Sequence, residues 1–155
     1  VVIVSLVHGP SRLEERLERR VVTVDIPADV PLVFVDPVLF EQLFVNLVEN
    51  AEKYTPPDTP IEVRARAEGQ LVTIEIMDHG PGLPPGSEVR VFDKFFRGTH
   101  VGVSGAGLGL AICKAIVEVH GGTISAGSRA SGGACFRIVM PRTEGPPPGP
   151  VEGLC

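Results

Sequence analysis

The chain has 155 residues, 43% of them hydrophobic, and a formal net charge of −5. That composition suits one domain with an ordinary core, and the lack of a basic stripe with interleaved aromatics excludes the usual nucleic-acid-binding surface. No apolar run approaches the ~20 residues of a bilayer-spanning helix. Residues 1–7 are apolar but too short to span, and no small-residue cleavage site follows them.

In chain order, Ser11 and Glu14 form a capping box and Leu13 and Leu17 lie one turn apart, so residues 10–20 are expected to form a short charged helix. Residues 21–26 read as a strand ending at Pro27, and 32–35 are a further short apolar run. Asp36 suits an N-cap and Pro37 a first helical residue. From there Leu39, Phe40, Leu43, Phe44, Leu47 and Ala51 recur on one apolar face, with Gln42, Asn46, Glu49, Asn50 and Lys53 on another. Thr55 and the prolines that follow end this helix. Residues 61–67 alternate as a strand, 68–70 turn, and 71–78 form the second arm, with Val72, Ile74 and Ile76 on one face.

Residues 78–86 are turn-forming throughout, 91–98 are aromatic and basic, and 99–106 form a Gly/Ser-rich loop. A helix is predicted from Leu108 to His120, carrying Leu110, Ala111, Ile112, Ala115, Ile116 and Val119 and stopped by Gly121-Gly122. Residues 123–126 and 134–140 read as two strands. The Pro/Gly-rich stretch 142–155 offers little to bury and is expected to be a disordered tail. The predicted organisation is therefore an N-terminal segment (1–20), one domain (21–141) and a tail (142–155). Its fold class is α+β: a two-layer sandwich, its sheet mostly antiparallel and its helices on one side. The widely spaced Cys113, Cys135 and Cys155 suggest neither a disulfide framework nor a zinc site, and His8, His79, His100 and His120 show no metal-ligand spacing.

Three later stretches give the polar stripe of the long helix a possible chemistry. Asp78 closes an apolar strand and opens Asp-His-Gly-Pro-Gly. A carboxylate there can accept donors from a planar base, while Gly80 and Gly82 let a flat ligand approach the backbone; a plain β-turn is the alternative. Phe92, Phe95 and Phe96 with Lys94 and Arg97 suit either a core plug or a phosphate-facing edge. Gly105-Ala106-Gly107-Leu108-Gly109-Leu110 leads into a helix, whose N-terminal N–H groups suit phosphate. This stretch is neither a P-loop nor a dinucleotide fingerprint. A mobile loop with a helix-nucleating end fits it, as does a flexible connector.

Taken in order, these pieces resemble the N, G1, F and G2 boxes of the ATP-binding domain of sensor histidine kinases, the Bergerat fold shared with gyrase, Hsp90 chaperones and MutL. The resemblance covers about residues 21–141. Residues 91–98, 107–122 and 132–136 look most like the potassium-responsive branch of those kinases. The resemblance implies a mixed sheet, a mobile ATP lid, and ATP and Mg²⁺ as cofactors. It also implies roles at matching positions. Asn50 would hold Mg²⁺, Asn46 would lie near the phosphates, Lys53 would reach a phosphate, and Tyr54 would lie along the adenine or ribose. Asp78 would accept the adenine amino group, with Gly80, Gly82 and Leu83 around the base. Phe92, Lys94 and Arg97 belong to the F box. Gly105, Gly107 and Gly109 would hinge the lid, with Leu108 and Leu110 against the nucleotide. Glu49 stands where ATP-hydrolysing relatives carry a base, and is assigned as a polariser of the metal-bound shell. His79 replaces the family's usual Asn, and Ala134-Cys135 replaces Gly-Thr, which puts those two contacts in doubt.

The implied reaction is transfer of the ATP γ-phosphate to a histidine on a separate dimerisation domain, and onward to a response regulator. No histidine here has the accepting motif, so the chain is expected to be a catalytic domain from a larger sensor. That sensor would lie in a bacterial inner membrane, with this domain cytoplasmic and not itself touching the bilayer. An anti-sigma-factor-type serine kinase, a gyrase-like ATPase and a non-catalytic interaction domain are the alternatives.

Overall fold

In a computed structural model the structure describes residues 21–31, 33–56, 58–94, 96 and 108–142. The expected helix at 10–20, the Gly/Ser loop, the tail beyond Arg142, and Phe95, Arg97, Gly105 and Gly107 lie outside the described residues.

Five strands form one mixed sheet in the order β1-β2-β3-β5-β4. They are β1 (Val22–Asp25), β2 (Ile61–Glu68), β3 (Leu71–Met77), β4 (Thr123–Ser128) and β5 (Ala134–Pro141). β1 runs parallel to β2, and the other pairings are antiparallel. Ile61, Val63 and Ala65 on β2, Val72, Ile74 and Ile76 on β3, and Ala134, Phe136, Ile138 and Met140 on β5 share the buried face. Two helices cover it: α1 (Pro37–Tyr54) and α2 (Gly109–Val119).

α1 starts where the sequence places it. Asp36 accepts the N–H groups of Val38 and Leu39 at 2.9 and 3.1 Å, and Pro37 occupies the first turn. Phe40, Leu43, Phe44, Leu47 and Ala51 enter the core, each large side chain contributing about 1.5–3 kcal/mol when fully buried. Two expectations about helix faces need correction. Leu39 is 39% exposed, whereas Val45, Val48 and even Asn46 are buried. The cause is that α1 packs against α2 as well as the sheet, so its buried arc extends into the stripe expected to be wet. In α2, Cys113, Ile116 and Val117 are buried, while Ile112 and Val119 are exposed. That helix is apolar nearly all round, so periodicity alone does not choose its inner face.

His120 joins the two helices at their far end. Its Nδ1 donates to Ile116 O at 2.7 Å and its Nε2 accepts the Asp36 N–H at 3.0 Å, with the ring edge-on to Phe40. The opposite face of the sheet carries charge of alternating sign. The register places Asp25, Arg64, Glu75 and Arg137 in one row across β1, β2, β3 and β5. Arg137 donates to Glu75 at 3.1 Å and Arg64 lies 3.9 Å from Asp25.

Candidate functional site

The site is laid out along α1. At its C-terminal end sits the turn that follows β3. Asp78 is 5% exposed, yet nearly all of its polar groups are committed. Its N–H donates to Ala134 O at 3.0 Å. Its Oδ1 accepts the N–H of Gly80 at 3.0 Å and of Ala134 at 2.9 Å. Among the described residues Oδ2 has no hydrogen-bond partner. Two backbone donors on one oxygen fix the carboxylate in place and leave the other to accept from a ligand.

Two glycines permit this arrangement. A Cβ on Gly133, whose φ is +98°, would lie 2.0 Å from Asp78 O. A Cβ on Gly80 would lie 2.7 Å from Thr55 Cγ2 and 2.8 Å from Tyr54 O. The Asp78 turn is thus pressed against both the residue that precedes β5 and the end of α1. Leu83 is fixed further on by donation from its N–H to Ser128 Oγ at 3.0 Å.

One turn back along α1, Asn50 and Glu49 are half-buried, Tyr54 is half-buried and Lys53 is exposed. Asn46 lies one turn further. Its carboxamide accepts from Gln42 Nε2 at 2.8 Å and donates to Gly109 O at 3.4 Å, reaching the first residue of α2. Thr55 lies nine positions beyond Asn46, which at the helical rise is roughly 13.5 Å. The stretch of α1 from Asn46 to Tyr54 therefore runs from the start of α2 to the Asp78 turn, with Asn50 between. The first turn of α2 has neither a capping side chain nor an acidic residue. Leu108 precedes it as an exposed N-cap, and Leu110 packs partly against the core.

Other expected site residues fall elsewhere. Phe92 is a core residue, edge-to-face with Phe136 at 6.3 Å, so its contribution to the site runs through packing. Lys94 is exposed just beyond the short 3₁₀ turn Arg90–Phe92. Gly82 has a φ of +80°, as its turn requires. Of the replaced pair Ala134-Cys135, only Ala134 adjoins Asp78. Cys135 points to the other face of the sheet, its thiol donating to Glu75 Oε2 at 3.5 Å. Burial and the Glu75 carboxylate push that thiol up to about 11. Burial likewise pushes Cys113 up to about 12, against a smaller opposing effect from the Asn46 amide. Sequence reasoning missed Ser128 and Arg129, which meet the Asp78 turn from the β4–β5 connection. No local pattern announces a contact between residues 51 positions apart.

Residues 35–144 match the model of the histidine kinase-, DNA gyrase B- and HSP90-like ATPase family. The chain belongs to this family. It is 48% identical over 126 residues to the sensor protein KdpD of Escherichia coli K12, a match covering 81% of this chain and 14% of KdpD. Among solved structures it is similar to the mycobacterial sensor histidine kinase MprB, with TM-score 0.77 and 31% identity over 90% of this chain and 93% of that one. Full-length ShkA, solved in complex with AMPPNP, is similar with TM-score 0.71 and 25% identity over 94% of this chain and 30% of that one. The fold is that of the ATP-binding catalytic domain of histidine kinases, and the chain spans about one-seventh of the KdpD sequence it matches.

Proposed function

We propose that this domain binds Mg²⁺·ATP along α1 and, as part of a longer sensor kinase of KdpD type, donates the γ-phosphate to a histidine on a separate dimerisation domain, from which a response regulator receives it. The observation that carries this reading is the Asp78 carboxylate: buried, held by two backbone donors through Oδ1, and left with Oδ2 to accept an adenine amino group. Tyr54 beside the Gly80 turn suits the base or ribose, and the uncapped start of α2 suits phosphate.

Asn50, between those ends, would hold Mg²⁺, with Glu49 polarising its surroundings and Lys53 and Lys94 near the phosphates. Among the described residues no group of three or more His, Cys, Asp or Glu could hold a metal by itself. A single carboxamide suffices, because nucleotide-bound Mg²⁺ takes most of its ligands from phosphate and water. When bound, the ion neutralises charge on the transferring phosphoryl group. The protein's own part is positioning: α1 spaces the base end from the phosphate end, and the α1–α2 contact at Asn46 ties the phosphate end to Gly109, the first residue of α2. Arg97, Gly105 and Gly107 complete the proposed site as phosphate contact and lid hinges. Residues 21–141 would be the catalytic unit, with 1–20 a lead-in and 142–155 a tail. Among the described residues no helix is long and apolar enough to cross a membrane. A membrane anchor, and a potassium or osmotic stimulus, would belong to the rest of the parent protein.

The test is incubation with γ-labelled ATP. The chain alone is expected to bind ATP and acquire no label. Adding a histidine-containing dimerisation domain from a KdpD sensor should place label on that partner. Label accumulating on this chain, or no nucleotide binding with Mg²⁺ present, would overturn the reading.

A further inference from the structure

The end of β4 and the turn that follows it meet the Asp78 turn. Ser128 Oγ accepts the Leu83 N–H at 3.0 Å, and the next residue, Arg129, donates from Nη1 to Asp78 O at 3.0 Å. The Arg129 side chain is only 18% exposed, and its Nη2 lies 3.1 Å from Glu62 Oε2. That contact is an ion pair whose angle falls short of a hydrogen bond, so Glu62 holds Arg129 mainly by charge. His79 Nε2 lies 3.7 Å from the same oxygen, a weaker claim on it. Arg129 is itself fixed by its backbone: its N–H donates to Gly133 O at 2.8 Å and its carbonyl accepts from Gly132 at 3.1 Å. Gly133 is the residue pressed against Asp78 O.

We propose that Arg129, anchored by Glu62, is a positioning residue that sets the adenine-reading carboxylate. Arg129 fixes the carbonyl of Asp78, Ala134 fixes its N–H and Oδ1, and Gly80 fixes Oδ1 from the other side. With the peptide plane after Asp78 pinned, the χ angles of Asp78 leave Oδ2 one direction to face. A donor-less residue at position 129 frees that plane and strands a buried carbonyl, so the carboxylate loses its aim without losing its charge. Arg129 touches no substrate in this scheme. The inference rests on Asp78 being the base reader.

The experiment compares ATP with purine riboside triphosphate, which lacks the exocyclic amine, on Arg129→Met, Glu62→Gln, Arg129→Lys and Asp78→Asn. The readouts are affinity by calorimetry and thermal midpoint. Arg129→Met is expected to weaken ATP about tenfold and the analogue less than about twofold, the span of one buried hydrogen bond. Glu62→Gln should move the ratio the same way by about threefold, and Arg129→Lys, which keeps a donor but not the fork that reaches both Asp78 O and Glu62, should weaken ATP less than Arg129→Met. Equal weakening of both nucleotides in step with a lower thermal midpoint would mean that Arg129 only supports the fold, and would overturn the proposal. If Arg129→Met does not fold, the ratio in Glu62→Gln decides: unchanged, it overturns the proposal. Should Asp78→Asn leave the ratio intact, the base-reading role itself falls. Should Asp78→Asn abolish discrimination while Arg129→Met and Glu62→Gln keep it, only the role of Arg129 falls.

Discussion

The two ends of the site along α1 are built from different material. At its C-terminal end the turn at Asp78 is set by backbone: main-chain N–H groups hold the carboxylate, and two glycines let three segments touch. At the other end the connection to α2 is made by side chains, Gln42 to Asn46 and Asn46 to Gly109 O, with the Cys113 thiol donating to Leu43 O at 3.7 Å nearby. A backbone-made site admits one shape, which suits reading a rigid base. A side-chain-made site can follow a triphosphate as its charge and conformation change.

If that contrast holds, the most damaging change is at Gly133. Gly133→Ala forces a Cβ to within 2.0 Å of Asp78 O and strains a φ of +98°. The strain alone is about 1–3 kcal/mol, and with the clash a total loss above ~3 kcal/mol is expected. Thermal unfolding and ATP titration measure it; a wild-type midpoint with intact binding would mean the backbone contact is not what sets the base end. Asp78→Asn comes next. Either orientation of the amide turns an NH₂ toward a donor, so adenine nucleotide affinity should fall by about 1–3 kcal/mol with the fold retained. Calorimetry showing unchanged affinity would remove Asp78 from the site.

Asn50→Ala tests the other end. The gain in ATP affinity that Mg²⁺ provides should shrink by about tenfold, ~1.4 kcal/mol, while adenosine binds as before. A matching loss for adenosine would mean the two ends are not separable. The smallest effect concerns pH. Burial raises Cys113 to about 12, so the folded state keeps a proton that the unfolded chain releases from about pH 8.5. Stability from this thiol is complete below that pH and declines as pH rises toward the folded value. Cys113→Ala should flatten the alkaline slope of denaturant-measured stability; an unaltered slope would show that the α1–α2 seam is open to water.

The contrast also explains what the sequence made legible. The cap at Asp36, the sheet strands and the Asp78 turn rest on local rules, N-cap chemistry, period-two alternation and glycine at tight turns, and the structure agrees at each. The inner face of α2 was not legible, because neighbouring apolar residues such as Ile112 and Cys113 satisfy the helical period about equally; only the sheet and α1 select Cys113. Nor was the burial of Asn46, whose polar type suggested solvent until α2 covered it. Arg129 and Glu62 stayed hidden for a third reason. Their partners depend on where β4 and β5 fall in the sheet, and β5 lies between β3 and β4.

Because Ala134 gives its amide proton to Asp78 Oδ1, that one N–H is a built-in gauge of the pocket. Charge drawn from the carboxylate by a base at Oδ2 would weaken its hold on this proton, moving a single nitrogen resonance. Ligand occupancy could therefore be followed at one peptide group in the sheet, without a dye or a reporter fused to the chain.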